Sequence, residues 1–140
     1  FVPNICFEST VPHLVRNMMQ QSNTQRQQGD VMLNLTNDGW FWGSAMLDIH
    51  LRCNVMRAVE MRRTNLVAAN TGISAWITPT GKIEEQETKL KDGFVIAQVG
   101  KATYNSVYMR FGDILSIVAT TLAGIAVLLS FKSVGPNRKN

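Results

Sequence analysis

Cysteine is scarce in this 140-residue chain, with Cys6 and Cys53 the only two. Two thiols make no disulfide framework, and neither lies in a CxxC or Cys/His spacing that would hold zinc. No metal site and no cofactor is expected, and the contexts of the two cysteines favour free thiols with different jobs. Charge of one sign is also lacking: 14 basic residues face 10 acidic ones, for a net charge of +4. Aromatic residues do not interleave with the basic ones, so no nucleic acid partner is expected. An initiating methionine and a leader are missing as well. Phe1-Val2-Pro3-Asn4-Ile5-Cys6-Phe7 reads at once as an apolar strand, and a strand at the first residue leads us to expect sequence upstream of it. Disorder is excluded by the 45% apolar content, which is that of a globular protein.

What is present falls into two regimes. Residues 1–113 carry almost all the charge, and 114–131 carry none. In the first regime Val2 to Phe7 predicts a buried strand ending at Cys6. Thr10 is expected to cap a helix that has Pro12 near its start and runs through Leu14, Val15, Met18 and Met19. The polar stretch from Gln20 to Asp30 reads as a solvated helix end and loop. Val31 to Thr36 is a second strand, closed by Asn37-Asp38-Gly39.

Ser44 is placed to cap a second helix, with Asp48 in its first turns. Met46, Ile49, Cys53 and Met56 recur along it at helical spacing, and so do Leu47, Leu51, Val55 and Val59. Two apolar sides predict a largely buried helix, ending in Arg57, Arg62 and Arg63. Asn65 to Ala69 predicts a third strand. A hairpin follows, from Ile73 to Thr78 and from Lys82 to Thr88 across Pro79-Thr80-Gly81, and Phe94 to Val99 is expected as a last strand. Strands alternating with helices indicate an α/β layered domain over residues 1–100, followed by a linker at 101–113.

The run from Ile114 to Phe131 has 18 uncharged residues, about the length that spans a hydrocarbon core of roughly 30 Å. A core helix of a soluble protein is the other reading of such a run. A basic tail over 132–140, with Lys132, Arg138 and Lys139, favours a single membrane helix with a cytoplasmic C-terminus, so the preceding domain is expected to face outward.

Cys6 is the candidate nucleophile. A sulfur at the carboxyl end of a strand, followed by a turn and a helix, can have its neighbouring backbone N–H aimed at a developing oxyanion. A helix N-terminus nearby helps to lower a thiol pKa. The position by itself also suits a small buried residue that does no chemistry.

Asn4-Ile5-Cys6-Phe7-Glu8, followed by Val11-Pro12-His13-Leu14-Val15-Arg16, resembles the nucleophile segment of the nitrilase (carbon–nitrogen hydrolase) superfamily. More closely it resembles the Ile-Cys-Tyr-Glu segment of the apolipoprotein N-acyltransferase family. Leu35-Thr36-Asn37-Asp38-Gly39-Trp40-Phe41 is similar to that family's Ser-Asn-Asp-Ala-Trp-Phe element. His50 to Glu60, with Met56-Arg57-Ala58-Val59-Glu60, is similar to its His…Met-Arg-Ala-Leu-Glu element. Ala69-Asn70-Thr71-Gly72-Ile73-Ser74-Ala75 is similar to its Thr-Asn-Thr-Gly-Ile-Ser-Ala element. The four stand in family order and at family-like spacing.

The resemblance implies an α/β fold, the C-terminal half of a nitrilase-type αββα sandwich followed by one transmembrane helix. It implies a periplasmic catalytic domain on the inner membrane and a Glu–Lys–Cys catalytic set. The thiolate takes an acyl chain from a phospholipid as a thioester, then passes it to the N-terminal diacylglyceryl-cysteine of an apolipoprotein. Of that set only the cysteine maps here, onto Cys6; the base and the lysine belong to upstream sequence, so residues 1–140 alone are expected to be inactive. Glu8 takes the place of a carboxylate that arranges the site. Phe7 stands where the family usually has Tyr, keeping a backbone N–H for the oxyanion without the phenol. Trp40 maps onto a tryptophan on the lipid-facing side, and Trp42 replaces a usual Gly. Trp40-Phe41-Trp42 is thus expected to meet lipid substrate.

The remaining candidates read more plainly. His50 has no evident carboxylate partner and is expected as a hydrogen-bonded core or cap residue. His13 is expected in solvent, Cys53 in the core, and Asn37-Asp38 in the turn after the second strand. Asn70-Thr71-Gly72 is expected as a tight turn near the floor of the site. A nitrilase-type amidase or amidotransferase half-domain with a membrane anchor is the alternative activity, and a degenerate anchored remnant the non-enzymatic one.

Overall fold

In a computed structural model the chain is described at residues 1–24, 29–102 and 104–133. Residues 1–110 form one compact unit, and the second begins at Phe111. The first unit is built on a five-stranded sheet of β1 (Val2–Ile5), β2 (Val31–Thr36), β3 (Thr64–Ala69), β4 (Ala75–Ile77) and β5 (Ile83–Gln86), in that spatial order. β1, β2 and β3 are parallel, whereas β4 and β5 turn back antiparallel. Parallel neighbours need long crossovers, and α1 (Pro12–Thr24) and α2 (Met46–Met61) supply them. The chain is therefore α/β.

The pleat sorts the middles of the strands. Val2, Asn4, Met32, Asn34, Asn65 and Val67 are buried, while Pro3, Ile5, Leu35 and Ala68 on the alternate positions are exposed. Val15 and Met19 of α1, with Leu51, Ala58 and Met61 of α2, join Val2, Met32 and Val67 in one core with Ile77. Helices cover one face of the sheet, and its other face is apolar and open at Ile5 and Leu35.

Several local expectations change. Thr10 does not cap α1; its hydroxyl donates back to the Phe7 carbonyl at 2.7 Å, tightening a 3-10 turn over Cys6–Thr10. Ser44 does accept the Met46 N–H, at 3.3 Å, where α2 starts. α2 is buried on one side only. Leu47, His50, Leu51, Asn54, Ala58 and Met61 face inward, whereas Met46, Ile49 and Met56 are exposed. Polar residues on the inner face use the core side that apolar counting assigned to both. Phe94 to Val99 forms no strand: the Ile96 N–H donates to the Glu85 carboxylate rather than to a strand carbonyl.

Arg63, at the end of α2, turns inward and is fully buried. It donates to the carbonyls of Gly29 at 2.7 Å, Arg62 at 3.1 Å and Tyr104 at 2.7 Å, and to Asn105 Oδ1 at 2.7 Å. Arg16 and Gln20 of α1 reach the carbonyls of Tyr108 and Met109 at the end of the short helix α3 (Val107–Phe111). Last-turn carbonyls without helical partners are satisfied in this way.

The second unit contains α4 (Ile114–Ser133). Its 20 residues rise about 30 Å at 1.5 Å each, the thickness of a hydrocarbon core. All side chains from Ile114 to Phe131 are exposed, the opposite of a soluble core helix. Thr121 and Ser130 turn their hydroxyls back onto the carbonyls of Ile117 and Ala126 within the helix. Of the expected tail, residues 134–140 lie outside the described residues.

Candidate active site

β1 ends at Ile5, and Cys6 takes a left-handed φ of +47°. A non-glycine residue in that region costs on the order of 1–3 kcal/mol unless its surroundings hold it there. The holding groups are visible. Glu8 Oε2 accepts the Ile5 N–H at 2.6 Å, closing the turn from outside. The Cys6 carbonyl oxygen accepts from Ser9 Oγ at 3.1 Å and Asn34 Nδ2 at 3.2 Å, with His50 Nε2 also 3.2 Å away. Cys6 Sγ is half-buried and lies 4.0 Å from the Asn37 carbonyl, above the end of β2.

Beneath the turn runs a buried polar network that reading the sequence did not find. His50 Nδ1 is 2.9 Å from Asp38 Oδ1, which also accepts from Thr36 Oγ1 at 2.8 Å. His50 Nε2 is 3.0 Å from Ser9 Oγ. Asn34 Nδ2 donates to Asn4 Oδ1 at 2.6 Å, and Asn54 Nδ2 to Asn34 Oδ1 at 3.3 Å. Asn65 Nδ2 extends the chain to Asn54 Oδ1 at 3.0 Å. His50, expected as a hydrogen-bonded core residue, is one, but it has the carboxylate partner that the sequence did not reveal. One signal was present: His50, Asn54 and Arg57 recur at helical spacing on the same face as Leu47 and Leu51.

The electrostatics follow from this geometry. Burial would raise the Asp38 pKa, but hydrogen bonds from His50 and Thr36 and the His50 charge outweigh it and hold the carboxyl below its ordinary value. For His50 the hydrogen bond to Asp38 prevails over burial and raises the pKa.

The loops after β2 and β3 interlock above Asp38. Asn70 Oδ1 accepts the Asp38 N–H at 3.1 Å, and Asn70 Nδ2 donates to Asn37 Oδ1 at 2.7 Å. Asn37 Oδ1 also accepts the Gly39 N–H at 3.2 Å, the local turn bond expected of it. Gly72 lies against the carboxylate so closely that a Cβ there would be 2.1 Å from Asp38 Oδ2.

Around the thiol the surface is apolar. A cavity of about 40 Å³ is lined by Cys6, Phe7, Phe41, Met46, Ile49 and Cys53, with Thr10 and His50 beside them. Phe7 and Phe41 are thus brought to the Cys6 thiol. Trp40 and Trp42 do not line this cavity; they stand out beside it, 82% and 91% exposed, and Trp42 has a left-handed φ of +46°. Cys53, expected in the core, is a half-buried wall of the cavity. His13 is exposed. Among the described residues, no three His, Cys, Asp or Glu side chains come together as a metal site.

No family model matches the chain. Curated relatives do. It is 37% identical to the apolipoprotein N-acyltransferase of Rhodopirellula baltica across 89% of its length, which is 23% of that protein. It is 30% identical to that of Geobacter metallireducens, across 91% of the chain and 23% of the relative. It is also 30% identical to that of Chlamydia trachomatis, across 95% of the chain and 25% of the relative.

Along nearly all of its own length the chain is similar to apolipoprotein N-acyltransferases.

It spans about a quarter of the length of these relatives. The positions that depart from the family pattern, Phe7 and Trp42, are both exposed, and Phe7 lines the cavity at Cys6. Neither side chain takes part in the buried network.

Proposed function

We propose that this chain is the C-terminal portion of an enzyme that moves an acyl chain from a phospholipid, through a thioester on Cys6, to the N-terminal diacylglyceryl-cysteine of an apolipoprotein. The observation that carries the reading is Cys6 itself: a half-buried thiol at the end of β1, on a left-handed residue, opening onto an apolar cavity. Thiolate attack on an ester carbonyl needs an oxyanion donor, and the backbone N–H of Phe7 follows the nucleophile directly. Glu8 serves by closing the turn that presents the sulfur. The base glutamate and the lysine of the family's catalytic set come from the part of the protein outside these residues.

Further support comes from both units. Trp40 and Trp42 are exposed indoles of the kind that rest at a membrane–water interface, and α4 is long and apolar enough to span the bilayer. These features favour a lipid ester over the small amides of nitrilase-type amidases. The open apolar face of the sheet, with Ile5 and Leu35, supports one half of an αββα sandwich whose second sheet packs there. With α4 in the inner membrane, the basic residues of the tail favour a cytoplasmic C-terminus and a periplasmic catalytic domain.

The test is direct. The full-length protein in detergent is incubated with a phospholipid bearing a radiolabelled acyl chain. Label on Cys6, released by hydroxylamine, absent in Cys6→Ser and transferred to a diacylglyceryl-cysteinyl peptide, is the expected result. Label that never reaches Cys6, with hydrolysis of small amides instead, would overturn the reading in favour of an amidase.

A further inference from the structure

We infer that His50, anchored by Asp38, is a positioning residue for the nucleophile: it holds the Cys6 carbonyl and thereby keeps Cys6 in the left-handed conformation that presents its thiol. The inference rests on the acyl-transfer reading of Cys6 and adds a residue that never touches substrate.

Geometry restricts how the imidazole can be protonated. Asp38 Oδ1 already accepts from Thr36 Oγ1, and as a carboxylate it requires a proton on His50 Nδ1 at 2.9 Å. On the other side Nε2 faces two oxygens, Ser9 Oγ at 3.0 Å and the Cys6 carbonyl at 3.2 Å. A neutral ring with its proton on Nδ1 would set a bare Nε2 lone pair against that carbonyl, and only Ser9 would have a proton to offer it. With both nitrogens protonated, Nε2 donates toward the Cys6 carbonyl, and Ser9 is free to donate to the same oxygen at 3.1 Å. Asp38 makes the doubly protonated ring tenable inside the protein. Among the described residues no other titratable side chain is hydrogen-bonded to this ring; Ser9, the Cys6 carbonyl and Asp38 are its partners.

The consequence concerns backbone conformation. Left-handed Cys6 is unfavourable by itself, and its carbonyl direction distinguishes it from the relaxed alternative. Three donors converge on that carbonyl from three separate elements: Ser9 in the turn, Asn34 in β2 and His50 in α2. Ser9, Asn34 and His50 are all buried, so each is held in place by the packing around it. Removing His50 frees the peptide to relax, and the sulfur moves away from the oxyanion donor at Phe7. Such a change slows attack without altering how the lipid binds.

The experiment uses the full-length protein with three substitutions. His50→Leu removes both hydrogen bonds at similar volume, His50→Gln keeps an amide donor near the position of Nε2, and Asp38→Asn keeps the shape while removing the charge. Acylation of Cys6 by labelled phospholipid is followed as a single turnover over a range of lipid concentrations. In parallel, alkylation of Cys6 by iodoacetamide is timed. His50→Leu is expected to lose on the order of 10- to 100-fold in the acylation rate constant, with the half-saturating lipid concentration within about threefold of wild type. His50→Gln is expected to recover most of that loss, and Asp38→Asn to fall between them.

Acylation and alkylation within twofold of wild type in His50→Leu would overturn the inference, as would a loss expressed only in half-saturation. A His50→Gln variant as slow as His50→Leu would also overturn it. Should His50→Leu fail to accumulate, Asp38→Asn decides by the same two rates. A wild-type protein that is never acylated by phospholipid would refute the functional reading alone; the order of alkylation rates among the variants would then decide the role of His50.

Discussion

The carboxylate of Asp38 and Nδ1 of His50 lie 2.9 Å apart, with both side chains almost fully buried, and join the loop after β2 to the first turns of α2. Eleven residues lie between them in sequence, among them Trp40, Phe41 and Trp42, of which Phe41 lines the cavity at the thiol. One buried contact therefore fixes both ends of the segment that carries Trp40, Phe41 and Trp42.

Stability should depend on pH through this pair, with opposite signs on its two sides. The lowered Asp38 pKa contributes stability that is present above the ordinary value of 3.8 and is lost as pH falls through the folded value. The raised His50 pKa contributes stability that is complete below 6.5 and is lost as pH rises through the folded value. Both contributions are present together between pH 3.8 and 6.5. Thermal unfolding of wild type and Asp38→Asn across pH 3 to 9 checks this. The difference between them should be largest within that window and shrink toward either end.

Gly72→Ala should be destabilising by about 2 kcal/mol, the usual cost of forcing a methyl group into packed space. The new Cβ would lie 2.1 Å from Asp38 Oδ2 and 3.0 Å from the Ala69 Cβ, so the carboxylate must leave its place under His50. Gly100→Ala, where nothing lies within 4 Å, is the control and should unfold at the wild-type midpoint. Denaturant midpoints for the two variants make the comparison.

How much of this was legible depended on whether a feature is local. Strand ends at Thr36 and Ala69, the course of α2 and the turn at Gly81 follow from periodicity and turn chemistry within a few residues. The pairing of His50 with Asp38 does not. It requires the chain to fold back through Trp42 and Gly43, whose φ values of +46° and +72° no apolar pattern announces. Likewise Met46 and Ile49 read as core because they are apolar at helical spacing, but the core side of α2 is taken by His50 and Asn54. Phe94 to Val99 has strand composition and still forms none, because strand formation needs a neighbouring ladder that composition alone does not record.

Arg63 offers a prediction about the frame rather than the site. Burial lowers its pKa, opposed by Asp30, and its guanidinium is satisfied by carbonyls and by Asn105 Oδ1. Arg63→Met should cost at least about 3 kcal/mol, since the carbonyls of Gly29 and Tyr104 lose their donors. Arg63→Lys should recover little of this, because an ammonium cannot span the same set of acceptors. Hydrogen exchange should quicken around Tyr104 and Asn105 in both variants. Unchanged exchange there would mean that the segment before α3 is held by other contacts.

Trp40 and Trp42 should separate stability from lipid use. Both indoles are exposed, so alanine substitutions remove little packing and should shift stability by no more than about 0.5 kcal/mol. For Trp42 the left-handed φ of +46° remains unfavourable with alanine, and Trp42→Gly relieves it, so the glycine variant should be the more stable of the two. If the indoles rest at the membrane interface, the double alanine variant should need several-fold more phospholipid for half-saturation in the acylation assay. The rate at saturation should stay close to wild type, because Cys6 keeps its carbonyl partners Ser9, Asn34 and His50. Phe41, which lines the cavity by Cys6, should behave differently: Phe41→Ala opens the wall of that cavity and should lower the rate itself. Equal effects of the three substitutions on rate and half-saturation would show that the aromatic segment acts as a unit rather than as an outer membrane contact and an inner wall.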